Sequence, residues 1–307
     1  MFKTFTGSLV SSILLATASN ADAPNVVADI PSVHSLISIV MDGVGKPDLI
    51  IPTTASPHDF SFRPSQAKVM QNADIVFWVG EDLTPWLSDP IETLAKDAKK
   101  VELLEDSRTH VLEFEEEEKG EEEHDDHEHE HGHGEHDPHA WLDPINASIW
   151  LDIIAEQLSV LDADHSDTYQ KNAANGKLKL EELTSETTEA LNEYKGWSFI
   201  VAHDAYMYFA TRFGLDIVGA IASTDDEAPS AGRVAKIAKQ VESQNVQCIF
   251  KDIHSKDGLV NAVTGQTNVK SILLDPMGAG IEIGTTFYGE LIRGFAKSIQ
   301  TCVSDKT

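Results

Sequence analysis

SDTYQKNAANGKLKLEELTSETTEALNEY, residues 166–194, is the stretch on which the fold turns. Leu180, Leu183, Thr187, Leu191 and Tyr194 recur three and four apart, which places them on one face of a helix. Gly176 inside it costs about 1 kcal/mol relative to alanine, an amount a packed helix absorbs. At ~1.5 Å per residue such a helix spans over ~40 Å, more than a single domain needs, so it reads as a rigid strut between two domains.

Strand and helix patterns alternate on both sides of it. Before the strut, Asn25–Ile30, Pro47–Pro52, Asp74–Gly80 and Lys100–Leu104 read as strands. Helices are predicted over Ser32–Met41, Pro64–Asn72 and Trp86–Ala98, and from an Asp143 N-cap with Pro144 in the first turn to Leu161. After it, Ser198–Ala202, Asp216–Ile221, Gln247–Lys251 and Val269–Leu274 read as strands. Helices fill the gaps: one capped by Asp204 and ending before Gly214, then Ala231–Gln244, Gly258–Thr264 and Thr286–Cys302. Such alternation predicts an α/β protein: two α/β domains, each with a mostly parallel, covered sheet. The expected division is 22–163 for the first domain, 164–195 for the linking helix and 196–307 for the second.

A different composition interrupts the first half. Glu113–His139 holds fourteen carboxylates, one lysine and seven of the thirteen histidines. It accounts for −13 of the net charge of −28, leaving a moderately acidic remainder. That balance excludes a nucleic-acid partner, whose phosphates need a basic face. The run has no apolar periodicity and carries glycines, so residues 108–136 are expected to form a disordered loop. His124, His127, His129, His131, His133 and His136 suit borderline cations such as zinc, copper and nickel, and make the loop an accessory metal-binding segment. An H-E-x-x-H match at 127–131 lies in low complexity rather than on a helix, so it does not mark a protease. Gly43–Pro47 lacks the upstream glycine and the Ser/Thr of a phosphate-binding loop.

Lys3, the apolar stretch Leu9–Ala16 and the small residues before Ala21 have the three parts of a secretory signal peptide. Cleavage is expected after Ala21, or after Ala23; a membrane anchor is the alternative reading. No cysteine lies near the cleavage point, so no lipid anchor is expected, and the mature chain is expected to be free in a Gram-negative periplasm. In that oxidising compartment Cys248 and Cys302 default to one disulfide, with a two-thiolate metal site as the other possibility.

Ligands of open α/β sheets bind beyond the carboxyl ends of the strands. His58 follows the second strand, His203 follows Ala202 directly, His139 lies in the segment re-entering the fold, and Asp275 follows Leu274. Three neutral imidazoles with water or a carboxylate in the fourth position make a tetrahedral site for Zn²⁺. His254, also after a strand, is not counted in this set and reads as an ordinary loop residue, with contact to the ligand as its alternative. His34 reads as a packing or capping residue, and His110 and His165 as solvated loop positions.

The stretches ASPHDFSFRPS (55–65), QNADIVFWVG (71–80), DPHAWLDP (137–144), AHDAYMYF (202–209) and LDPMG (274–278) resemble the zinc-specific, ZnuA-like solute-binding proteins of bacterial ABC importers. The similarity covers nearly all of the mature chain. It implies metal held between two α/β domains joined by a long helix, zinc passed to an inner-membrane permease, and no catalysis. It also places His58, His139 and His203 on ligand positions, and Cys248 with Cys302 on a disulfide pair seen in some members. Manganese-binding relatives have a carboxylate where this chain has His203, and three imidazoles favour zinc. Some zinc members carry a glutamate where this chain has Pro57, which leaves the fourth ligand open between water and Asp275. The expected protein is thus a monomeric zinc carrier. The alternatives are a stand-alone periplasmic zinc buffer, or a zinc hydrolase with Asp59 or Asp204 as base.

Overall fold

The computed structural model describes residues 23–113, 136–222, 230–265, 267 and 269–304. The chain runs β1 (Val26–Ala28), α1 (Pro31–Val40), β2 (Asp48–Leu49), α2 (Pro64–Gln71), β3 (Ile75–Trp78), α3 (Pro85–Leu94), β4 (Lys99–Glu102) and α4 (Pro144–Leu161). The long helix α5 (Ser166–Leu191) leads to β5 (Ser198–His203), α6 (Met207–Phe213), β6 (Asp216–Ala222) and α7 (Ala231–Ser243). Then come β7 (Cys248–Lys251), α8 (Asp257–Thr264), β8 (Lys270–Leu273) and α9 (Phe287–Ser304). The expected signal peptide, and all the loop histidines except His136, lie outside the described residues.

Each half builds one four-stranded parallel sheet, ordered β2-β1-β3-β4 and β6-β5-β7-β8. In both, the first strand sits inside, between the second and the third. The chain therefore winds outward in two directions and leaves a crevice at the carboxyl ends where the order reverses. The inner strands are apolar on both faces, as a sheet covered on both sides requires. In β5 the alternation divides two cores. Phe199 and Val201 join the large core shared with the first half, and Ile200 and Ala202 face a smaller one with Val234, Ile237 and Val241 of α7.

Helix α5 is 26 residues long, about 39 Å at ~1.5 Å per residue, and ends in a 3₁₀ turn over Asn192–Tyr194. Its buried face is Tyr169, Ala173, Gly176, Leu180, Leu183, Thr187 and Leu191, the stripe that the spacing predicts. The N-terminal part holds the first half: the Asn172 amide donates to Val40 O at 3.0 Å and Asp42 O at 2.9 Å. The C-terminal part holds the second. Arg293 of α9 pairs with Glu186 at 2.9 Å, and Gln300 donates to Ala190 O at 3.2 Å. Gly176 has a packing reason, since a Cβ there would lie 2.9 Å from both Ile39 Cγ2 and Leu151 Cδ1. Gly176→Ala should therefore destabilise the protein by about 1–3 kcal/mol from overpacking, offset by the ~1 kcal/mol gain in helix propensity. A urea melt with a higher midpoint than the wild type would show that the contact is slack.

Three expectations need correction. Asp204 does not cap α6, which begins at Met207 with Tyr206 at the N-cap and no side-chain cap bond. Helix α3 ends at Leu94 rather than Ala98, with Pro90 inside it. Nor does the structureless loop begin at 108. Arg108 pairs with Asp106 and Glu156, Thr109 Oγ1 donates to Leu103 O at 2.6 Å, and His110 N donates to Asn146 Oδ1 at 2.8 Å. Leu112 N donates to Tyr208 Oη at 2.9 Å, and Glu113 bridges His136 in antiparallel sense. The charge pattern of 108–113 resembles a solvated loop, but partners distant in sequence fix it.

His34 packs as expected, 7% exposed with Nε2 3.1 Å from Pro47 O. The cap at Asp143 is present, accepting from Ile145 N at 2.9 Å. Cys248 at the start of β7 is bonded to Cys302 in α9, with Cα atoms 6.2 Å apart. No helix of the described residues is long and apolar enough to cross a membrane.

Candidate metal centre

His58 stands in the loop after β2, where its N–H donates to Ser56 Oγ at 3.3 Å. The neighbouring Pro57 carbonyl accepts from the indole of Trp86 at 2.8 Å. Phe60 and Phe62 lie against that indole, with ring centroids 5.6 and 6.3 Å away, so the loop is pinned by an aromatic cluster on α3.

His139 precedes a 3₁₀ turn, Ala140–Leu142, that opens into α4. Asp137 Oδ1 accepts from both the backbone N–H of His139 at 2.9 Å and its ring Nδ1 at 2.7 Å. A carboxylate only accepts, so Nδ1 carries the proton and Nε2 presents its lone pair. That Nε2 is buried and has no hydrogen-bond partner. His203 closes β5, and its Nδ1 lies 2.7 Å from Asp252 Oδ2 in the same relation. The β5–β7 register pairs Ile200 with Ile249 and Val201 with Phe250, and two residues further along it sets His203 beside Asp252.

The three rings converge. Centroids are 5.4 Å apart for His58–His139, 5.7 Å for His139–His203 and 6.2 Å for His58–His203. One nitrogen from each lies within 4.8 Å of the other two. Tetrahedral zinc bonded at ~2.0 Å sets its nitrogens roughly 3.3 Å apart, so small side-chain movements complete the geometry. The cavity among them is only about 10 Å³, room for about one water-sized species.

Asp275 lines this cavity without joining the three-nitrogen group. Its oxygens accept from Met277 N at 3.0 Å and Ala279 N at 2.7 Å, in a turn ending at Gly278. Gly278 has φ 67°, and a Cβ there would lie 2.7 Å from Phe287. Burial pushes the Asp275 carboxyl up, against those two backbone donors. Burial also raises Asp204, with the Asp137 charge adding to it and His139, His203 and Arg233 opposing. His136, the one described histidine of the accessory run, stays in its bridge to Glu113 and outside the group. His165 pairs with Asp162 at 2.7 Å rather than standing solvated.

The DPHAWLDP segment belongs to the first half by sequence yet is gripped by the second. Tyr208 Oη donates to Asp137 O at 2.8 Å, Tyr288 Oη to Trp141 O at 2.8 Å, and the Trp141 indole to Pro276 O at 3.3 Å. Arg212 of α6 clasps Asp143 with two bonds of 2.7 and 2.6 Å. His139 is thereby set against His203 by contacts from both halves.

Two functional carboxylates escape sequence reasoning, Asp137 and Asp252. The first has a local signal, its place two residues before a candidate histidine. Asp252 has none until strand pairing is known. His254 is also on the cavity wall, with a buried Nε2 that has no hydrogen-bond partner.

The family model described as zinc-uptake complex component A periplasmic, ZnuA, matches residues 26–302. The chain belongs to the ZnuA family. It is 37% identical over 305 residues to the high-affinity zinc uptake system protein ZnuA of Brucella suis, covering 91% of each chain. With the ZnuA of Paracoccus denitrificans it shares 37% over 318 residues, covering 96% of this chain and 98% of that one. A crystal structure of ZnuA superposes with a TM-score of 0.77 at 21% identity, over 92% of this chain and 100% of that one. A zinc-bound ZnuA deletion mutant does so with 0.76 at 20%, over 92% and 98%. These structures share the ZnuA fold of two parallel-sheet halves joined by a long helix.

Proposed function

We propose that this chain captures zinc in the periplasm, holding one Zn²⁺ between its halves through His58, His139 and His203, and delivers it to the inner-membrane permease of an ABC importer. One observation carries the reading. Three imidazoles from three separate segments, two of them backed by buried carboxylates, surround a cavity sized for a single ion. Family membership and the names of its relatives support zinc uptake as the role. Water or Asp275 would complete the tetrahedron. The small cavity among the imidazoles favours a binding role over hydrolysis. The mature chain acts as a monomer, exported by its signal peptide. The histidine-rich run from His124 to His136 adds weaker sites that collect zinc near the tight one.

Titration calorimetry on a variant lacking residues 114–135 tests this division: one tight site should persist while the weak ones vanish. Loss of the tight site would show that the run itself holds the principal ion. Asp252→Asn keeps the shape of the side chain but gives up its charge and its purely accepting character toward His203. Zinc affinity should drop about 10–100-fold, the usual effect of removing a partner that orients a ligand. Competition against a chromogenic chelator reads this, and an unchanged affinity would leave Asp252 a structural residue.

A further inference from the structure

We propose that His254 is a fourth imidazole of the zinc site, swinging onto the ion held by His58, His139 and His203. This rests on the zinc-binding reading above and extends it by assigning the fourth donor to a nitrogen, in place of water or Asp275.

His254 lines the same cavity as the other three histidines. Its Nε2 is buried without a hydrogen-bond partner, a condition it shares in this cavity with Nε2 of His139. Buried polar atoms are rarely left unpaired, and those that are call for a missing partner. A cation with an open position between the imidazoles is such a partner for a neutral ring nitrogen.

The backbone places His254 where His203 is already set. Asp252 Oδ2 meets the His203 ring, while Oδ1 accepts from His254 N at 2.8 Å, Ser255 N at 2.7 Å and Ser255 Oγ at 2.9 Å. One carboxylate thus orients a ligand and folds the loop that carries a second imidazole. Asp275 is the more constrained candidate, held in its turn by two backbone N–H groups, one on each oxygen, which fix where its remaining lone pairs point. His254 has no such bond to give up at Nε2. Among the described residues, the nitrogens within 4.8 Å of one another come from His58, His139 and His203. Ligation by His254 therefore takes rotation about its side-chain torsions between staggered wells. Four neutral imidazoles make a closed tetrahedral shell, suited to a borderline cation and without an open position for hydrolysis.

The test is zinc-edge X-ray absorption on the full chain loaded with half an equivalent of Zn²⁺, with affinities by chelator competition. Wild type should show four imidazoles. His254→Ala should show three with one oxygen, and an affinity lowered about tenfold or more. His254→Gln, which keeps a polar side chain of similar size, should lose the same imidazole. Three imidazoles in the wild type would overturn the proposal without reliance on any variant. So would an unchanged count and an affinity within twofold in His254→Ala while His58→Ala loses zinc; the three-histidine reading would then stand. If His58→Ala binds zinc like the wild type, the underlying site reading fails instead.

Discussion

Replacing His203 by alanine is expected to lower zinc affinity by more than about 100-fold, beyond the 10–100-fold that a partner orienting a ligand commands. His203 is the only one of the three converging imidazoles that ends a strand, so its position is tied to the β5–β7 pairing. Water filling the vacated position is a poorer donor to zinc than imidazole, and of the converging group the ion would keep only the rings of His58 and His139, beside the His254 ring inferred above. The fold should survive. Asp252 retains its three donors from His254 and Ser255, and the truncated side chain sits at the crevice rather than in the centre of either core. Chelator competition gives the affinity, and a thermal melt without zinc separates lost binding from lost folding. Zinc affinity within tenfold of wild type, in a folded variant, would remove His203 from the ligand set.

The second large effect concerns stability. Exchanging both Cys248 and Cys302 for serine should cost about 4 kcal/mol by the chain-entropy account, because the bond closes a loop with a sequence separation of 54. Both residues are fully buried, one at the start of β7 and one near the end of α9. The bond thus fastens the last helix to the strand that leads to Asp252. Against a total of roughly 5–15 kcal/mol for a folded protein, the loss is large. Urea unfolding of the oxidised chain and the serine variant, both without zinc, measures it. Zinc should restore part of the midpoint, since a ligand that binds only the folded state adds stability with its concentration. A difference below about 1 kcal/mol would mean that the packing of α9 on α5 and β8 holds the end of the chain unaided.

Much of the architecture is legible in residue order. The apolar period of 166–194 announces α5 because a helix face is written by residues three and four apart. Alternating strand and helix patterns on both sides announce two parallel sheets, and Asp143 with Pro144 marks the start of α4 through bonds made within one turn. Gly176 is the instructive case. Propensity assigns it only a cost, whereas Ile39 and Leu151 pressing within 2.9 Å of an added Cβ give it a purpose. Asp204 fails for the opposite reason: its residue type suits a cap, but the chain enters α6 three residues later.

The site divides along the same line. The residue order of this protein names His58, His139 and His203 as candidates, since each follows a strand or re-enters the fold in a motif of its own. It also makes a zinc carrier the natural reading, through five motifs that occur in sequence along the chain. What it leaves open is convergence. The meeting of three rings with one nitrogen each inside 4.8 Å depends on β5–β7 register and on Tyr208, Arg212 and Tyr288 reaching across from the second half to seat the segment of His139. Asp252 acquires its role, and His254 its place on the cavity wall, by the same packing, whereas Asp137 meets His139 only two residues away. Local pattern is set by neighbours within one helical turn or one strand alternation. These contacts join residues 49 to 147 positions apart, and only the burial of a shared core brings such residues together.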